Sequence, residues 1–272
     1  MIQASFSRSG GHVALFNVHF FSEVLRVRTC MDVTIPQDPA FPPDHLWPTL
    51  YLLHGLSDDH TAWTRWTSIE RYADRKKIAV IMATTGRGFY VDAAKGPRYE
   101  EFFAHELPAI ARSFFRLSPY REDTFVAGLS MGGYGAFSLA LGNPRLYAAA
   151  ASLSGALDLE ERFRKDLNFA PGTELGQEME LIFGDTAAFK GGPYDLCARL
   201  EAAVSAGNDL PALFQCCGTE DFLYSGNLHF RDHARALGVP LTYEESPGTH
   251  EWGYWDASIQ RVLDWLPLRT NG

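Results

Sequence analysis

Residues 124–141 have the sequence TFVAGLSMGGYGAFSLAL. The first four residues are typical of a β-strand, and the small and apolar residues at 133–141 are typical of a buried helix. Between them lies Gly128-Leu129-Ser130-Met131-Gly132, the pattern G-x-S-x-G in a strand–turn–helix context. Such a turn forces strained backbone angles on the serine, and the glycines let strand and helix approach closely. We therefore predict that Ser130 is an exposed nucleophile at a helix N-terminus, rather than a buried structural serine.

The segments on either side of this turn alternate between short apolar strands and helices. An antiparallel pair at 12–20 and 25–35 comes first. The further predicted strands are 49–53, 78–83, 124–127, 147–152, 212–217 and 241–245, and the predicted helices are 63–75, 99–115, 133–141, 196–205, 228–237 and 254–265. Apolar strands interleaved with helices indicate a parallel sheet covered on both faces. We predict one α/β domain, residues 1–272, with a mixed and mostly parallel sheet.

Residues 157–194 interrupt this alternation. They contain charged helical runs and no convincing strand. Insertions of this kind often line the substrate pocket of an α/β enzyme, so we predict a small cap. The alternative is a surface excursion without substrate contact.

Composition excludes several classes of function. The chain of 272 residues has a net charge of −9, which argues against binding to nucleic acid or an anionic membrane. It has no apolar run of the length, about 18 residues, that a membrane-spanning helix needs. Residues 1–8 lack the layout of a signal peptide, and the four cysteines show no metal-ligand spacing. A cytoplasmic protein is the simplest interpretation, with a removed export signal as the alternative.

A serine nucleophile needs a base, and three histidines follow Ser130 in the chain. His229 and His233 lie one turn apart in a predicted surface helix. Their spacing would suit a metal, but no further ligand cluster accompanies them, so we predict no metal. His250 lies in a loop between the last strand and the last helix, where a functional histidine of an α/β enzyme belongs. We predict that His250 is the base.

The acid that orients this base should follow the preceding strand, where Glu220 and Asp221 stand side by side. Sequence spacing does not separate the two. Because adjacent side chains in a turn point in different directions, only one of them should reach the imidazole. We favour Asp221, with Glu220 as a solvated or loop-fixing carboxylate.

A tetrahedral intermediate also needs two oxyanion donors. The residue after the nucleophile supplies one, the backbone N–H of Met131. The second usually comes from the loop after an earlier strand, and here His54-Gly55 follows such a strand. We predict that the second donor is the N–H of Leu56. His54 is expected to brace this turn by hydrogen bonding, and the alternative is a second base.

Several aromatic residues lie in the same predicted loops. They are candidates for the walls of an acyl or alcohol pocket, with core packing as the alternative for each. The candidates are Trp63, Trp66, Tyr90 and Trp252. Trp252 is the preferred candidate because it follows His250 by two residues.

Together these motifs resemble the esterase D family of α/β-hydrolases, and within it most closely the tributyrin esterase branch. The similarity covers most of the chain. The matching stretches are 53–55 (LHG), 88–92 (GFYVD), 105–108 (HELP), 127–135 (AGLSMGGYG), 154–157 (SGAL), 218–222 (GTEDF) and 250–252 (HEW). The resemblance implies an α/β-hydrolase fold with Ser130 as nucleophile, Asp221 as acid and His250 as base. It also implies a carboxylic-ester hydrolase for short acyl chains.

The function predicted from these features is two-step acyl transfer from a small-molecule ester to water, without a cofactor. An S-formylglutathione hydrolase or other thioesterase is the first alternative. Those hydrolases usually carry His-Gly where this chain has Tyr134-Gly135, so the ester is favoured. An acetyl or feruloyl esterase of plant polysaccharides is a further alternative, and a non-catalytic binding protein is a remote one. The resemblance is also compatible with a homo-oligomer.

Overall fold

A computed structural model describes residues 12–269 of the chain. Residues 1–8, on which the expectation about an export signal rests, lie outside this range. The strands are β1 His12–Ser22, β2 Val27–Gln37, β3 Thr49–Leu53, β4 Ala79–Ala83, β5 Thr124–Leu129, β6 Ala149–Leu153, β7 Ala212–Gly218 and β8 Leu241–Ser246. The α-helices are α1 Ala62–Trp66, α2 Ile69–Lys76, α3 Tyr99–Glu101, α4 Leu107–Phe114, α5 Met131–Gly142, α6 Leu159–Lys165, α7 Glu174–Phe183, α8 Leu196–Ser205, α9 Tyr224–Ala236 and α10 Trp252–Trp265.

The eight strands form one sheet in the order β1-β2-β4-β3-β5-β6-β7-β8. β2 pairs in antiparallel fashion with both of its neighbours, and the pairs from β4 to β8 are all parallel. The prediction of a mixed, mostly parallel sheet with an antiparallel pair at one edge is confirmed. Because the carboxyl ends of parallel strands meet at one edge, the loops after β3, β5, β7 and β8 lie together.

Helices cover both faces of this sheet, because alternate strand residues face opposite layers. In β3, Tyr51 and Leu53 belong to the larger apolar cluster, which also contains residues of α4, α5, α8 and α9. Leu50 and Leu52 belong to the second cluster, with residues of α2 and α10. Helix α5 is buried along nearly its whole length, as its sequence of small and apolar residues predicts.

The helix predicted at 63–75 is two helices. Thr67, between α1 and α2, has an extended backbone, and its hydroxyl donates to the carbonyl of Trp63 at 2.5 Å. The hydroxyl oxygen of Thr67 also accepts from the N–H of Ile69 at 3.1 Å. A threonine side chain that bonds its own backbone in this way competes with the helix, which explains the break.

Residues 157–194 contain α6, α7 and two short 3₁₀ turns and, as predicted, no strand. Both helices begin at residues whose side chains accept a backbone N–H. Asp158 accepts from Glu161, and Thr173 accepts from Gly176. These are typical N-caps, so the sequence defines where each helix of the insertion begins.

Across residues 12–269, the helices are all too short or too polar to cross a membrane.

Candidate active site

Ser130 lies between β5 and α5 with φ 53° and ψ −117°, a conformation that costs a non-glycine residue free energy. Its N–H donates to the carbonyl of Leu153 at 2.9 Å, which ties the turn to β6. The sharp strand-to-helix turn predicted from the motif is therefore present. Because α5 begins at Met131, the first N–H groups of the helix lie beside Ser130.

The two glycines of the motif are required by close packing. A Cβ atom on Gly128 would lie 2.3 Å from the carbonyl oxygen of Gly132. A Cβ atom on Gly132 would lie 2.5 Å from the carbonyl oxygen of Leu53. Real Cβ atoms do not approach backbone this closely, so only glycine lets β5, α5 and the end of β3 meet here.

Three side chains from three loops form a continuous chain of hydrogen bonds. Nε2 of His250 lies 3.0 Å from Oγ of Ser130, and Nδ1 lies 2.8 Å from Oδ2 of Asp221. Since a carboxylate only accepts, Nδ1 carries the proton and Nε2 is free to accept from the serine hydroxyl. The Asp221 side chain is fully buried, and its Oδ1 accepts from the N–H of Leu223 at 2.8 Å.

Glu220, the other candidate acid, points away from this chain. Its Oε2 accepts from the N–H of Gly248 at 2.6 Å, and its own N–H donates to the Gly248 carbonyl at 3.1 Å. The hydrogen bond from Gly248 lowers the pKa of this exposed carboxylate. Glu220 thus fixes the loop that leads to His250, and the structure places Asp221 against the imidazole.

The turn after β3 holds the second predicted oxyanion donor. Gly55 lies so close to Ser130 that a Cβ atom on Gly55 would be 3.7 Å from Cβ of the serine. The Gly55 carbonyl accepts from Nδ1 of His54 at 2.8 Å and from the N–H of Asp58 at 3.2 Å. Because C=O and N–H of one trans peptide point in opposite directions, these two bonds direct the N–H of Leu56 to the other side.

His54 braces this turn from within the core. It is 1% exposed, and its Nε2 accepts from the N–H of Thr85 at 3.1 Å, in the loop after β4. Burial lowers the pKa of the imidazole to about 4, so His54 is neutral near pH 7. Both ring nitrogens are engaged by backbone groups, which agrees with the expected bracing role.

The predicted aromatic wall divides into two groups. Trp63 and Tyr90 do not line an open pocket, which corrects the prediction for these two residues. Both are 0% exposed: Trp63 donates its indole N–H to the carbonyl of Leu53 at 3.0 Å, and Tyr90 donates its hydroxyl to the carbonyl of His54 at 3.0 Å. Burial of each ring, and the position of its polar atom, depends on tertiary packing that the sequence does not reveal.

Trp66 and Trp252, the second group, are at least partly exposed to solvent. Trp66 is 57% exposed, Trp252 is half-buried, and their rings are stacked with centroids 6.5 Å apart.

Sequence reasoning missed two aromatic residues that contact His250 directly. Phe222 lies 4.5 Å from the His250 ring and Trp255 lies 4.8 Å from it, centroid to centroid. Phe222 follows Asp221 directly, so its position in the chain was an available signal.

A cavity of 520 Å³ lies beside Phe222, between α6 and residues 222–226. The guanidinium of Arg162 in α6 lies 5.2 Å from the centroid of the Phe222 ring. Ser225 donates to Glu161, also in α6, at 3.1 Å. The insertion therefore contacts the loop that carries Asp221.

His229 and His233 lie in α9, and each faces a different carboxylate, so the two do not form one cluster. Nδ1 of His229 lies 2.6 Å from Oδ2 of Asp158, and Nε2 of His233 lies 3.1 Å from Oε1 of Glu201. In the part of the chain that the structure describes, no three histidine, cysteine, aspartate or glutamate side chains converge in a way that would hold a metal ion.

Comparison with known proteins places this chain in a family. A model of the esterase family, described as "Putative esterase", matches residues 22–266. The chain belongs to this family. It has the α/β-hydrolase fold, and it is an enzyme, a carboxylesterase.

Three similar proteins illustrate the relationship. The fluorophosphonate-binding serine hydrolase FphF of Staphylococcus aureus is 34% identical, with a TM-score of 0.84 over 96% of this chain and 100% of that chain. The S-formylglutathione hydrolase FrmB of the same organism is 34% identical, with a TM-score of 0.82 over 94% of this chain and 100% of that chain. An acetyl esterase of Caldicellulosiruptor saccharolyticus is 27% identical, covering 93% of this chain and 98% of its own length.

Proposed function

We propose that this carboxylesterase hydrolyses short-chain acyl esters of small alcohols, with Ser130 as nucleophile, His250 as general base and Asp221 as the orienting acid. The observation that carries the proposal is the hydrogen-bond chain from Ser130 through His250 to Asp221, which starts at a strained turn. Family membership and the similarity to a protein named acetyl esterase support it. The four cysteines are free thiols, which supports a cytoplasmic location.

The proposed reaction has two halves. Oγ of Ser130 attacks the ester carbonyl while Nε2 of His250 takes the hydroxyl proton, and Asp221 stabilises the resulting imidazolium. The N–H groups of Leu56 and Met131 bind the oxyanion of the tetrahedral intermediate. Collapse of the intermediate breaks the C–O bond, and His250 returns the proton to the departing alcohol. Water then attacks the acyl-enzyme, with His250 again as base, and releases the acid and Ser130.

Residues 157–194 would act as a cap on this site. The proposal is supported by the contact of α6 with Phe222, whose ring packs against His250. The 520 Å³ cavity between them is lined by Phe222 and Leu223, which follow the proposed acid in the chain, and it would hold part of the substrate.

A thioester is the second candidate substrate, favoured by the 34% identity to a protein named S-formylglutathione hydrolase. The two candidates differ in the leaving group, while nucleophile, base and oxyanion donors would be shared. Substrate comparison therefore separates them.

The test is a rate profile on p-nitrophenyl esters from acetyl to decanoyl, together with acetylated xylan, methyl ferulate and S-formylglutathione. We expect kcat/KM to fall steeply beyond butanoyl. Ser130→Ala should lower kcat by about 10⁴-fold or more, because the triad acts as a unit. Ser113→Ala, an exposed serine in α4, is the matched control and should keep wild-type rates.

Three results would change the proposal. Undiminished hydrolysis by Ser130→Ala would overturn the nucleophile. A strong preference for S-formylglutathione would replace the ester with the thioester. Absence of hydrolysis with every substrate would support a binding protein built on this fold.

A further inference from the structure

The turn that carries Leu56 has an unusual residue in its third position. The N–H of Asp58 donates to the carbonyl of Gly55 at 3.2 Å, which closes a four-residue turn. Ser57, its third residue, has φ 73°. A turn of this kind normally has glycine there, because other residues are strained at positive φ. Something outside the turn must therefore hold Ser57 in this conformation.

Arg87, in the loop after β4, makes that contact. Its Nη1 donates to Oγ of Ser57 at 2.9 Å. The other side of the same guanidinium is held by Glu178 of α7, with Nε to Oε1 at 2.6 Å and Nη2 to Oε2 at 2.7 Å. A bidentate ion pair fixes both the position and the plane of the guanidinium, so the direction of the remaining nitrogen, Nη1, is defined.

Helix α7 is itself attached to the loop after β4. The N–H of Ala94 donates to the carbonyl of Ile182, and the N–H of Lys95 to that of Leu181, both at 2.8 Å. The insertion therefore binds this loop along the end of α7, and Arg87 extends the connection to the turn after β3. The Arg87 side chain is 41% exposed, so its loss should not unfold the protein.

We propose that Arg87 is a positioning residue for the oxyanion site. Held by Glu178, it keeps Ser57 at positive φ and thereby keeps the N–H of Leu56 directed at the oxyanion. This assigns the insertion a role in transition-state stabilisation in addition to its contact with Phe222. The inference rests on the proposed function, since it requires Leu56 to be an oxyanion donor.

Removal of Arg87 should affect the transition state more than substrate binding. In Arg87→Ala, Ser57 is free to relax to negative φ, and the Leu56 N–H loses its fixed direction. We expect kcat on p-nitrophenyl acetate to fall about tenfold while KM stays within about twofold. The inhibition constant of an alkylboronic acid, which forms a tetrahedral adduct with the serine, should rise by a similar factor.

A second substitution tests the cause. Glycine adopts positive φ without strain, so Ser57→Gly should make the arginine contact dispensable. The single variant Ser57→Gly should have near wild-type kcat, and Arg87→Ala/Ser57→Gly should regain most of the lost kcat. Glu178→Gln should show a smaller loss in the same direction. Arg164→Ala removes an exposed ion pair with Glu160 elsewhere on the insertion and should change neither kcat nor KM.

The outcomes separate this inference from the proposed function. Ser130→Ala, assayed in parallel, tests the nucleophile alone. If Ser130→Ala is inactive but Arg87→Ala stays within about twofold of wild-type kcat, the positioning role is wrong and the nucleophile stands. If Arg87→Ala loses kcat and Ser57→Gly does not restore it, the loss has another origin and the inference is equally overturned.

Discussion

His250 is held by side chains from two segments, the loop after β7 and helix α10. Asp221 binds its Nδ1, and the rings of Phe222 and Trp255 pack against the imidazole. In the proposed reaction, where His250 takes the serine proton, a ring confined in this way has few rotamers to lose. Its Nε2 is thus directed at Ser130, which is the preorganisation that the proposed proton transfer requires.

The neighbouring carboxylates Asp221 and Glu220 should respond very differently to neutralisation. Asp221→Asn removes the charge that stabilises the imidazolium and disturbs the tautomer, so we expect kcat to fall by about 10³–10⁴-fold. Glu220→Gln keeps an oxygen that can accept from Gly248, so kcat should stay within about threefold of wild type. Parallel kcat measurements on one ester decide between them. A larger loss in Glu220→Gln would reverse the assignment of the acid.

At this scale the sequence indicated the positions of those proposed site residues that a local pattern defines. Ser130 stands in a motif that dictates its own backbone, and His250 stands in a loop at the correct edge of the sheet. The carboxylate was ambiguous because two acids are adjacent, and only the course of the loop shows which one faces inward. Trp63 and Tyr90 were misassigned because an aromatic ring at a loop carries no local sign of whether it is buried.

The turn between β5 and α5 is held in place by a few close backbone contacts. Strand β5 lies next to β3, with Leu53 opposite Gly128, and the first turn of α5 crosses the end of β3. Since Gly132 contacts the backbone of Leu53 and His54 and not a flexible side chain, a larger residue at position 132 would have to displace backbone atoms. The same close approach brings the turn after β3 to Ser130.

Gly132→Ala adds only one methyl group, but it should strongly destabilise the folded protein. The added methyl would lie 2.5 Å from the carbonyl oxygen of Leu53 and 2.7 Å from that of His54. We expect a loss of about 3 kcal/mol in the free energy of unfolding, with reduced kcat in the protein that still folds. Gly253→Ala, in α10, is the control, because its nearest neighbour is 3.4 Å away and helical alanine is favourable. Urea unfolding of both variants checks this, and equal stabilities would contradict it.

Among the elements, the short buried strands were predicted best. The β3 and α8 boundaries agree with the sequence prediction, because unbroken apolar runs and an aspartate N-cap define them locally. The helix predicted at 99–115 instead contains a π-helical turn, Phe102–Glu106, just before Pro108. Proline removes one N–H from the helical ladder, and the wider turn adapts to that loss.

Over the whole molecule, His54 connects the end of β3 to the loop after β4. Its ring links Gly55 to Thr85, and its own carbonyl accepts from the buried Tyr90. The mixed sheet could be predicted from the alternation of strands and helices. The sequence also predicted that His54 braces its own turn, but its bond to Thr85 in the loop after β4 could not be predicted, because the partner is a backbone group that any sequence would supply.

This connection makes stability depend on pH through His54. The folded-state pKa is about 4, below the usual value of 6.5, so between these values the unfolded chain binds a proton that the folded chain does not. The free energy of unfolding therefore has its full value, as far as His54 is concerned, above pH 6.5. It falls as the pH decreases, and the loss from His54 is complete below pH 4. Between pH 7 and pH 5 the loss from this residue should be about 2 kcal/mol.

His54→Gln tests this, because glutamine can still donate to Gly55 and accept from Thr85 but does not titrate. We expect the variant to be less stable at pH 7 by about 1–2 kcal/mol, owing to imperfect hydrogen-bond geometry. Its stability should fall less than that of the wild type between pH 7 and pH 5, and the difference should match the contribution of His54. Urea unfolding at both pH values measures it. His105→Gln, at an exposed position, is the control and should lose as much stability between pH 7 and pH 5 as the wild type does. If His54→Gln also loses as much stability as the wild type over this range, the buried imidazole is not what makes the fold sensitive to acid.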